Sequence, residues 1–139
     1  MSDPYESEIS KAQQPKSKDY DFDLERVLSS VVLVRAQVPP DAYTASRMGT
    51  DRAGHGVLIR DDGLIATIGY LITEADVIWI VDANDRAVRG HVVGYDQATG
   101  FGLVQALQPL DLEPIELGES GVLKEGDPVI VAGYGGRAH

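Results

Sequence analysis

The 139 residues carry 12 basic and 22 acidic side chains, a net charge of −10, and no cysteine. The length fits one domain, and the acidity disfavours nucleic acid as a partner because like charges repel. The absence of cysteine excludes disulfides, thiolate metal sites and a cysteine nucleophile.

The N-terminal 20 residues are polar and mixed in charge, with little apolar surface to bury. They predict a flexible arm, with a docking arm as the alternative. No apolar run is long enough to span a bilayer, and the arm has no apolar signal-peptide core. We therefore expect no transmembrane segment. We also expect a cytoplasmic protein, which Met1 favours, unless a leader was removed from a periplasmic one.

A short helix is expected directly after the arm. Asp21 or Asp23 is placed to cap it, because Asp side chains accept hydrogen bonds from the first free amides of a helix. The helical period would put Phe22, Val27 and Leu28 on one face. The prediction is therefore a small amphipathic helix at the start of a domain that covers residues 21–139.

The remaining chain reads as one short strand after another, separated by turns. Asp62 and Gly63 form a two-residue hairpin signal. Residues 42–53 read as a polar loop, and no alternation of strands with helices is visible. The predicted strands cover 30–38, 54–59, 64–68, 76–82, 87–96, 101–106 and 126–135. Six or seven such strands predict an all-β fold, an antiparallel barrel or sandwich.

Four stretches in register resemble the first barrel of trypsin-like serine proteases of the HtrA/Deg group. "SVVLVRA" resembles the opening strand of that family, and "GHGVLIRDDGLIAT" resembles its "GSGFIIDxDGYILT" hairpin. "EADVIWIVDANDRAVRGHVVGYDQATGFGLVQ" resembles the next hairpin and the "D-x-x-T-D-L-A-V-L" strand. "LGESGVLKEGDPVIVAGYG" resembles the segment that leads to the second barrel. The resemblance implies a six- or seven-stranded antiparallel trypsin-like barrel, half of a two-barrel protease fold.

The resemblance also implies where catalytic residues would stand. A hydrolase of this type needs a Ser nucleophile, a His base and an Asp that orients the His. The His position is occupied by Tyr70 and the Asp position by Gly100, while the Ser belongs to the second barrel, outside these 139 residues. A phenol with a pKa of ~10 is a poor base at neutral pH. We expect Tyr70 to be a buried plug at the former base position.

Three functions remain open on these grounds. The first is a catalytically inactive relative of the HtrA-type proteases that acts as a protein-binding or assembly module. The second is the N-terminal part of a longer HtrA-like endopeptidase whose second barrel supplies the Ser. The third is an unrelated small β-barrel binding module.

Other candidate chemistry is weaker. His55, His91 and His139 are not at the base position, and no spacing typical of a metal site joins them. "GYGG" at 133–136 lacks the features of a phosphate loop. The carboxylates are expected in turns and on solvated faces rather than as a catalytic dyad; they are Asp61, Asp62, Glu74, Asp76, Asp82, Asp85 and Glu119. We expect no metal and no cofactor.

A candidate interface follows from the strand "DVIWIVD". Alternation places Val77, Trp79 and Val81 on one face and two isoleucines on the other, so both faces are apolar. A single barrel has one interior, so the outer face needs cover from the N-terminal helix, a loop or a partner. Val129 and Val131 in the last predicted strand extend the candidate interface. The expected partner is a second barrel or another protein chain, including a second copy in a homodimer.

Overall fold

The computed structural model describes residues 9–134 and forms a closed barrel of antiparallel strands. Around the barrel the strand order is β1-β2-β3-β6-β5-β4, and β4 closes it by pairing with β1. The elements are α1 (Leu24–Ser29), β1 (Val31–Gln37), α2 (Ala45–Met48), β2 (Asp51–Arg60), β3 (Leu64–Ile68), α3 (Gly69–Ile72), β4 (Val77–Val81), β5 (Ala87–Tyr95) and β6 (Phe101–Ala106), with 3-10 turns at Ser17–Asp19 and Ser120–Val122. Within this range, no helix has the length and apolar character that crossing a membrane requires. The predicted trypsin-like barrel is confirmed.

Strand alternation builds the core. In β1, Val32, Val34 and Ala36 point into the barrel and are buried, while the residues between them point outward. β4 contributes Ile78 and Ile80 to the same interior. Each fully buried aliphatic side chain contributes about 1.5–3 kcal/mol of transfer free energy, so these strands hold the fold mainly by hydrophobic burial.

Two turns explain why the strands reverse where they do. Gly63, between β2 and β3, has a φ of 93°, a left-handed conformation that glycine adopts without strain. Between β4 and β5, the Asp82 carboxylate accepts hydrogen bonds from the amides of Asn84 and Arg86, at 2.8 and 3.0 Å. Both turns fall at predicted turn signals.

The predicted N-terminal helix is present, and Asp23 is the residue that caps it. Its side chain accepts a hydrogen bond from the Arg26 amide at 3.1 Å. The predicted apolar face is wrong in part, because Phe22 and Leu28 are exposed and Leu24 is the buried residue. A helix of six residues is less than two turns long, so it presents little more than one side chain to the barrel.

The seventh strand does not form within the described residues. Residues 123–134 have no assigned helix or strand. The physical reason is closure: once β4 pairs with β1, all six strands have two neighbours and no edge is free to accept another. The polar loop was also predicted too long, since Asp51–Arg60 is a single strand and Ala45–Met48 is a short helix.

Candidate functional site

The two positions that the family resemblance assigns to the base and the acid, Tyr70 and Gly100, lie on neighbouring segments at one rim of the barrel. β3 ends at Ile68, and the chain turns immediately into α3, which contains Tyr70. The Gly69 amide donates a hydrogen bond to the Gly100 carbonyl oxygen at 2.7 Å. The strand–turn–helix is therefore joined directly to the loop before β6.

The loop before β6 is stabilised by hydrogen bonds between its own residues. The Asp96 carboxylate accepts hydrogen bonds from the Ala98 amide at 3.1 Å and the Thr99 hydroxyl at 2.7 Å. These bonds lower the pKa of Asp96 below its usual value, and the bond from the Thr99 hydroxyl has the largest effect. Gly100 has a φ of 79°, so the loop reaches its bond with Gly69 through a conformation that favours glycine.

Tyr70 is not the buried plug that we expected. Its side chain is 48% exposed, and its hydroxyl makes no hydrogen bond within residues 9–134. Leu71 and Ile72, which follow it, are the residues of α3 that enter the core. A four-residue helix at the rim buries only the side chains that face the barrel, and position 70 faces away.

The ring that covers the rim belongs to Tyr95, which sequence reasoning missed. A β-carbon built on Gly69 would lie 1.9 Å from the Tyr95 ring, so the ring occupies the space above the glycine. The same β-carbon would lie 3.1 Å from the Gly100 carbonyl oxygen. Position 69 therefore has no room for a side chain while Tyr95 stays where it is.

A second missed residue, Arg52, fixes the helix that carries Tyr70. Arg52 is only 5% exposed. Its guanidinium donates to the carbonyl oxygens of Tyr70 and Thr73, at 2.9 and 3.0 Å, and to the Thr44 hydroxyl at 2.8 Å. A third carbonyl, that of Gly49, accepts from its Nε at 3.2 Å. A buried guanidinium requires such partners, so Arg52 ties α3 to the loop between β1 and β2.

Glu74 also binds the loop between β1 and β2, through its carboxylate. Its carboxylate accepts from the amides of Tyr43 and Thr44, at 3.0 and 2.7 Å, and from the Thr44 hydroxyl at 2.5 Å. The Thr44 side chain is the largest cause of a lowered pKa for Glu74, followed by the Thr44 amide. Glu74 has a φ of 61°, an uncommon conformation for a residue with a side chain, and these bonds hold it there.

An open groove lies beside the rim. Its volume is about 410 Å³, and it is lined mainly by apolar surface, with Gly100 at one side. Ile68 and Phe101 are cross-strand neighbours on β3 and β6 and line it, although they are 48% and 62% exposed. Val57 and Ala66 contribute to the same lining. The geometry suits an apolar side chain better than a charged ligand.

His55 also lines the groove, and its ring contacts the C-terminal segment. The Tyr134 amide donates to His55 Nδ1 at 2.8 Å. A neutral imidazole has one acceptor nitrogen, so this bond uses it. While that contact persists, His55 has no free lone pair with which to take a proton. His91 is exposed on β5, and His139 lies outside the described residues.

The candidate carboxylates have structural partners or solvent around them. Asp62 pairs with Arg60 at 2.5 Å, and this hydrogen bond is the main cause of its lowered pKa. Asp82 caps the turn between β4 and β5. Across residues 9–134, no group of three or more His, Asp or Glu side chains converges as a metal site would require.

The candidate interface residues fall into two groups. Val77, Trp79 and Val81 are on the outer face of β4, because Ile78 and Ile80 occupy the interior. Val129 and Val131 are exposed in the segment that follows the barrel, so they belong to no strand of the sheet. The structure therefore puts all five on the outside, on two separate segments.

Comparisons with known proteins agree on one family. Residues 54–139 match the family model described as a trypsin-like peptidase domain. Two curated relatives are described as probable periplasmic serine endoproteases, DegP-like. The chain is 31% identical over 97 residues to the one from Marinomonas sp. (strain MWYL1), which covers 70% of this chain and 19% of the relative. To the one from Pseudomonas savastanoi pv. phaseolicola it is 33% identical over 97 residues, covering 68% and 20%.

Solved structures show the same fold. The structure of the HtrA-type protease AlgW with tripeptide matches with a TM-score of 0.63 at 19% identity, covering 75% of this chain and 31% of that one. The 139 residues span about a fifth of the length of the curated relatives.

Proposed function

The chain belongs to the family of trypsin-like peptidase domains, and from that membership we propose that it is a member that binds protein without hydrolysing it. The observation that carries the proposal is the identity of two residues near one rim. Tyr70 stands where the family resemblance puts the His, and Gly100 stands where it puts the Asp. The hydrogen bond from the Gly69 amide to the Gly100 carbonyl oxygen, which joins the two segments, supports the proposal.

The chemistry of the two replacements argues against hydrolysis. A phenol is a poor general base compared with imidazole, so Tyr70 does not fit the role of accepting the serine proton. Gly100 has no side chain with which to orient a base. Among residues 9–134, His55 is the one histidine that borders the groove with Gly100, and its Nδ1 accepts a hydrogen bond from the Tyr134 amide. None of these residues supplies the proton transfer of a serine protease.

Exposed apolar side chains favour a binding role. Ile68 and Phe101 form an uncovered apolar pair beside Gly100, and Trp79 lies exposed on β4. Contiguous exposed apolar patches of more than a few hundred Å² are rare on monomers and commonly mark interaction sites. The partner that fits the groove is another folded protein surface: a second barrel, a second copy of this chain or a different protein.

The second candidate function is the N-terminal part of a longer HtrA-like serine endopeptidase. The length of the relatives favours it, because this chain matches 19% of one of them. In that case a second barrel would supply the Ser. The base and its orienting acid would still have to come from residues other than Tyr70 and Gly100.

One experiment tests the proposal and separates the candidates. The protein is isolated in its native form from its source cell, its intact mass is measured, and the same sample is incubated with casein and with a fluorophosphonate probe. We expect no casein fragments and no labelling. Casein cleavage that the fluorophosphonate abolishes would overturn the proposal, and such cleavage by a chain with an intact mass well above 15.0 kDa would favour the second candidate instead.

A further inference from the structure

The outer face of β1, β4 and β5 carries an unusual row of three side chains. The sheet register pairs Arg35 with Trp79 and Trp79 with Arg89, so the indole lies between two arginines. All three point outward and are exposed. The guanidinium carbon of Arg89 lies 5.1 Å from the centre of the Trp79 ring, a stacked cation–π contact. We call these three residues the Arg–Trp–Arg face.

The two arginines of this face have no acidic partner. Elsewhere on the chain, Arg26 pairs with Glu113 and Arg86 pairs with Asp111. Within the described range 9–134, neither Arg35 nor Arg89 forms an ion pair or a side-chain hydrogen bond. In a chain with 22 acidic side chains, those among the described residues leave both neighbouring guanidinium groups unpaired.

The neighbouring rows strengthen the observation. The register places a row of three residues on one side of the Arg–Trp–Arg face and a pair of residues on the other. The row contains Leu33, Val81 and Ala87, and the pair is Gln37 and Val77. None is Asp or Glu. The outward positions of three adjacent strands are therefore free of acid in a protein of net charge −10, which makes the face locally positive.

We propose that the Arg–Trp–Arg face binds an acidic peptide segment in extended conformation, with one carboxylate on each side of Trp79. This inference rests on the proposal that the barrel works by binding. Guanidinium groups match carboxylates through paired hydrogen bonds, and Trp and Arg dominate the energetics of protein interfaces. The net charge of −10 repels any polyanion beyond this face, so a short segment with two carboxylates fits better than a long phosphate backbone.

Strand geometry sets the spacing of the two carboxylates. Adjacent strands lie ~4.8 Å apart, so the backbones at Arg35 and Arg89 are separated by roughly 10 Å across β4. Side chains at positions i and i+2 of an extended peptide point the same way and lie about 7 Å apart. The long arginine side chains can close the difference. Two glutamates separated by one residue are the simplest pattern that reaches both guanidinium groups.

The chain carries its own reporter, because Trp79 is its only tryptophan. The 139-residue protein is titrated with a peptide of alternating Glu and Ser, about eight residues long, while tryptophan emission is followed. We expect a saturable change in emission. The same peptide with Gln in place of Glu is expected to give no saturable change, since it cannot form the ion pairs.

Charge-reversal variants localise the binding. The double variant Arg35→Glu, Arg89→Glu keeps Trp79 as reporter and is expected to bind the Glu peptide at least about tenfold more weakly. The milder Arg35→Gln, Arg89→Gln pair covers the case in which charge reversal impairs folding, and we expect it to lose affinity in the same direction. The matched control, Arg47→Glu with Lys124→Glu, changes the net charge equally at exposed positions off the face. It is expected to bind within about twofold of the parent.

Four results would overturn the inference: no saturable signal, an equal response to the Gln peptide, equal weakening in the control variant, or equal binding of a single-stranded oligonucleotide of the same charge. Mass spectrometry of the peptide after titration keeps this test separate from the proposed function. If the peptide does not bind, the proposal of an acidic peptide ligand is wrong, and the proposal that the protein does not hydrolyse protein is unaffected. If the peptide is cleaved, the proposal that the protein does not hydrolyse protein is wrong.

Discussion

The amide of Gly69 and the carbonyl oxygen of Gly100 are joined by a hydrogen bond of 2.7 Å. This bond connects the turn after β3 to the loop before β6. The family resemblance assigns its His position to the first segment and its Asp position to the second, and that assignment stays a prediction. Around it, Tyr95 covers Gly69, and Arg52 holds the carbonyl of Tyr70.

The close contact between Gly69 and Tyr95 predicts that substitutions at these two positions have coupled effects on the free energy of unfolding. Gly69→Ala places a β-carbon where the Tyr95 ring lies, so the ring must move. We expect the substitution to cost about 1–3 kcal/mol of unfolding free energy, as overpacking does. In a Tyr95→Ala background the same substitution should cost clearly less, because the obstructing ring is gone.

Urea unfolding of the four proteins in this cycle measures the coupling. Gly118→Ala serves as the matched control, because a β-carbon there meets no atom within 4 Å outside its two chain neighbours, and Tyr95 is neither of them. Its cost should be the same with and without the Tyr95 ring. An identical cost for Gly69→Ala in both backgrounds would show that the ring does not restrict position 69.

Arg52 is expected to be the most stability-critical charged residue at the rim. Arg52→Leu leaves the carbonyls of Tyr70 and Thr73 without their donor and should cost about 2–4 kcal/mol of unfolding free energy. Arg52→Lys should recover only part of the loss, since an ammonium group cannot reproduce the fork of a guanidinium. Arg35→Gln, at an exposed position on β1, should change stability by less than about 0.5 kcal/mol. Equal unfolding free energies for Arg52→Leu and Arg35→Gln in urea denaturation would contradict the stabilising role of Arg52.

The exposure of Tyr70 predicts that substitutions at this position have small effects on stability. Tyr70→Phe should be neutral, because the hydroxyl makes no hydrogen bond within the described residues. Tyr70→Ala should cost about 1 kcal/mol or less, since a half-exposed ring contributes only part of the burial energy of an aromatic residue. Thermal melts of both variants provide the measurement. A loss of several kcal/mol in Tyr70→Ala would instead restore the buried-plug interpretation.

Glu74 predicts a pH dependence whose sign is fixed by the direction of its shift. Its pKa is lowered in the folded protein from an ordinary value of 4.5, mainly by the Thr44 hydroxyl. The ionised form therefore stabilises the fold, fully above the unfolded-state pKa, and this contribution disappears as the pH falls through the folded-state pKa. Glu74→Gln should lower stability at pH 7, and the difference from the parent should shrink below about pH 4.5.

Denaturation series at several pH values check this dependence. Glu116→Gln is the control, because Glu116 is exposed and accepts no side-chain hydrogen bond among residues 9–134. That variant should track the parent across the series. A Glu74→Gln difference that stays constant from pH 7 to pH 3 would show that ionisation of Glu74 is not what secures the loop.

Most of the barrel was predictable, because its signals are local. Strict alternation in β1 and β4, and turn residues such as Gly63, place strands and reversals from sequence alone. The prediction of a seventh strand was wrong within the described residues. It rested on the β-branched run Val129, Ile130 and Val131, which favours a strand locally. Barrel closure between β1 and β4, a long-range event, leaves that segment no edge to join.

The site was predictable only in part. The family resemblance assigned Tyr70 and Gly100 to the His and Asp positions, and that assignment stays a prediction. The contacts around them depend on pairs distant in sequence, such as Gly69 with Tyr95. Arg52 did leave a signal: it is in phase with Gly56 and Leu58, which face the interior of β2. An arginine on the inward phase of a strand indicates a buried, fully hydrogen-bonded guanidinium.

The uncovered apolar pair beside the groove predicts that the chain associates. Ile68 and Phe101 are neighbours beside the groove, and both are about half exposed or more. Light scattering of the 139-residue chain at micromolar concentration should therefore give a mass above that of one chain. Phe101→Asp introduces a charge into the apolar pair, so it should shift the mass to that of a monomer. Leu117→Asp, at an exposed apolar position that does not line the groove, should leave the assembly unchanged. A monomer mass for the parent, retained after deletion of residues 1–20, would show that the pair needs no partner and is not covered by the arm.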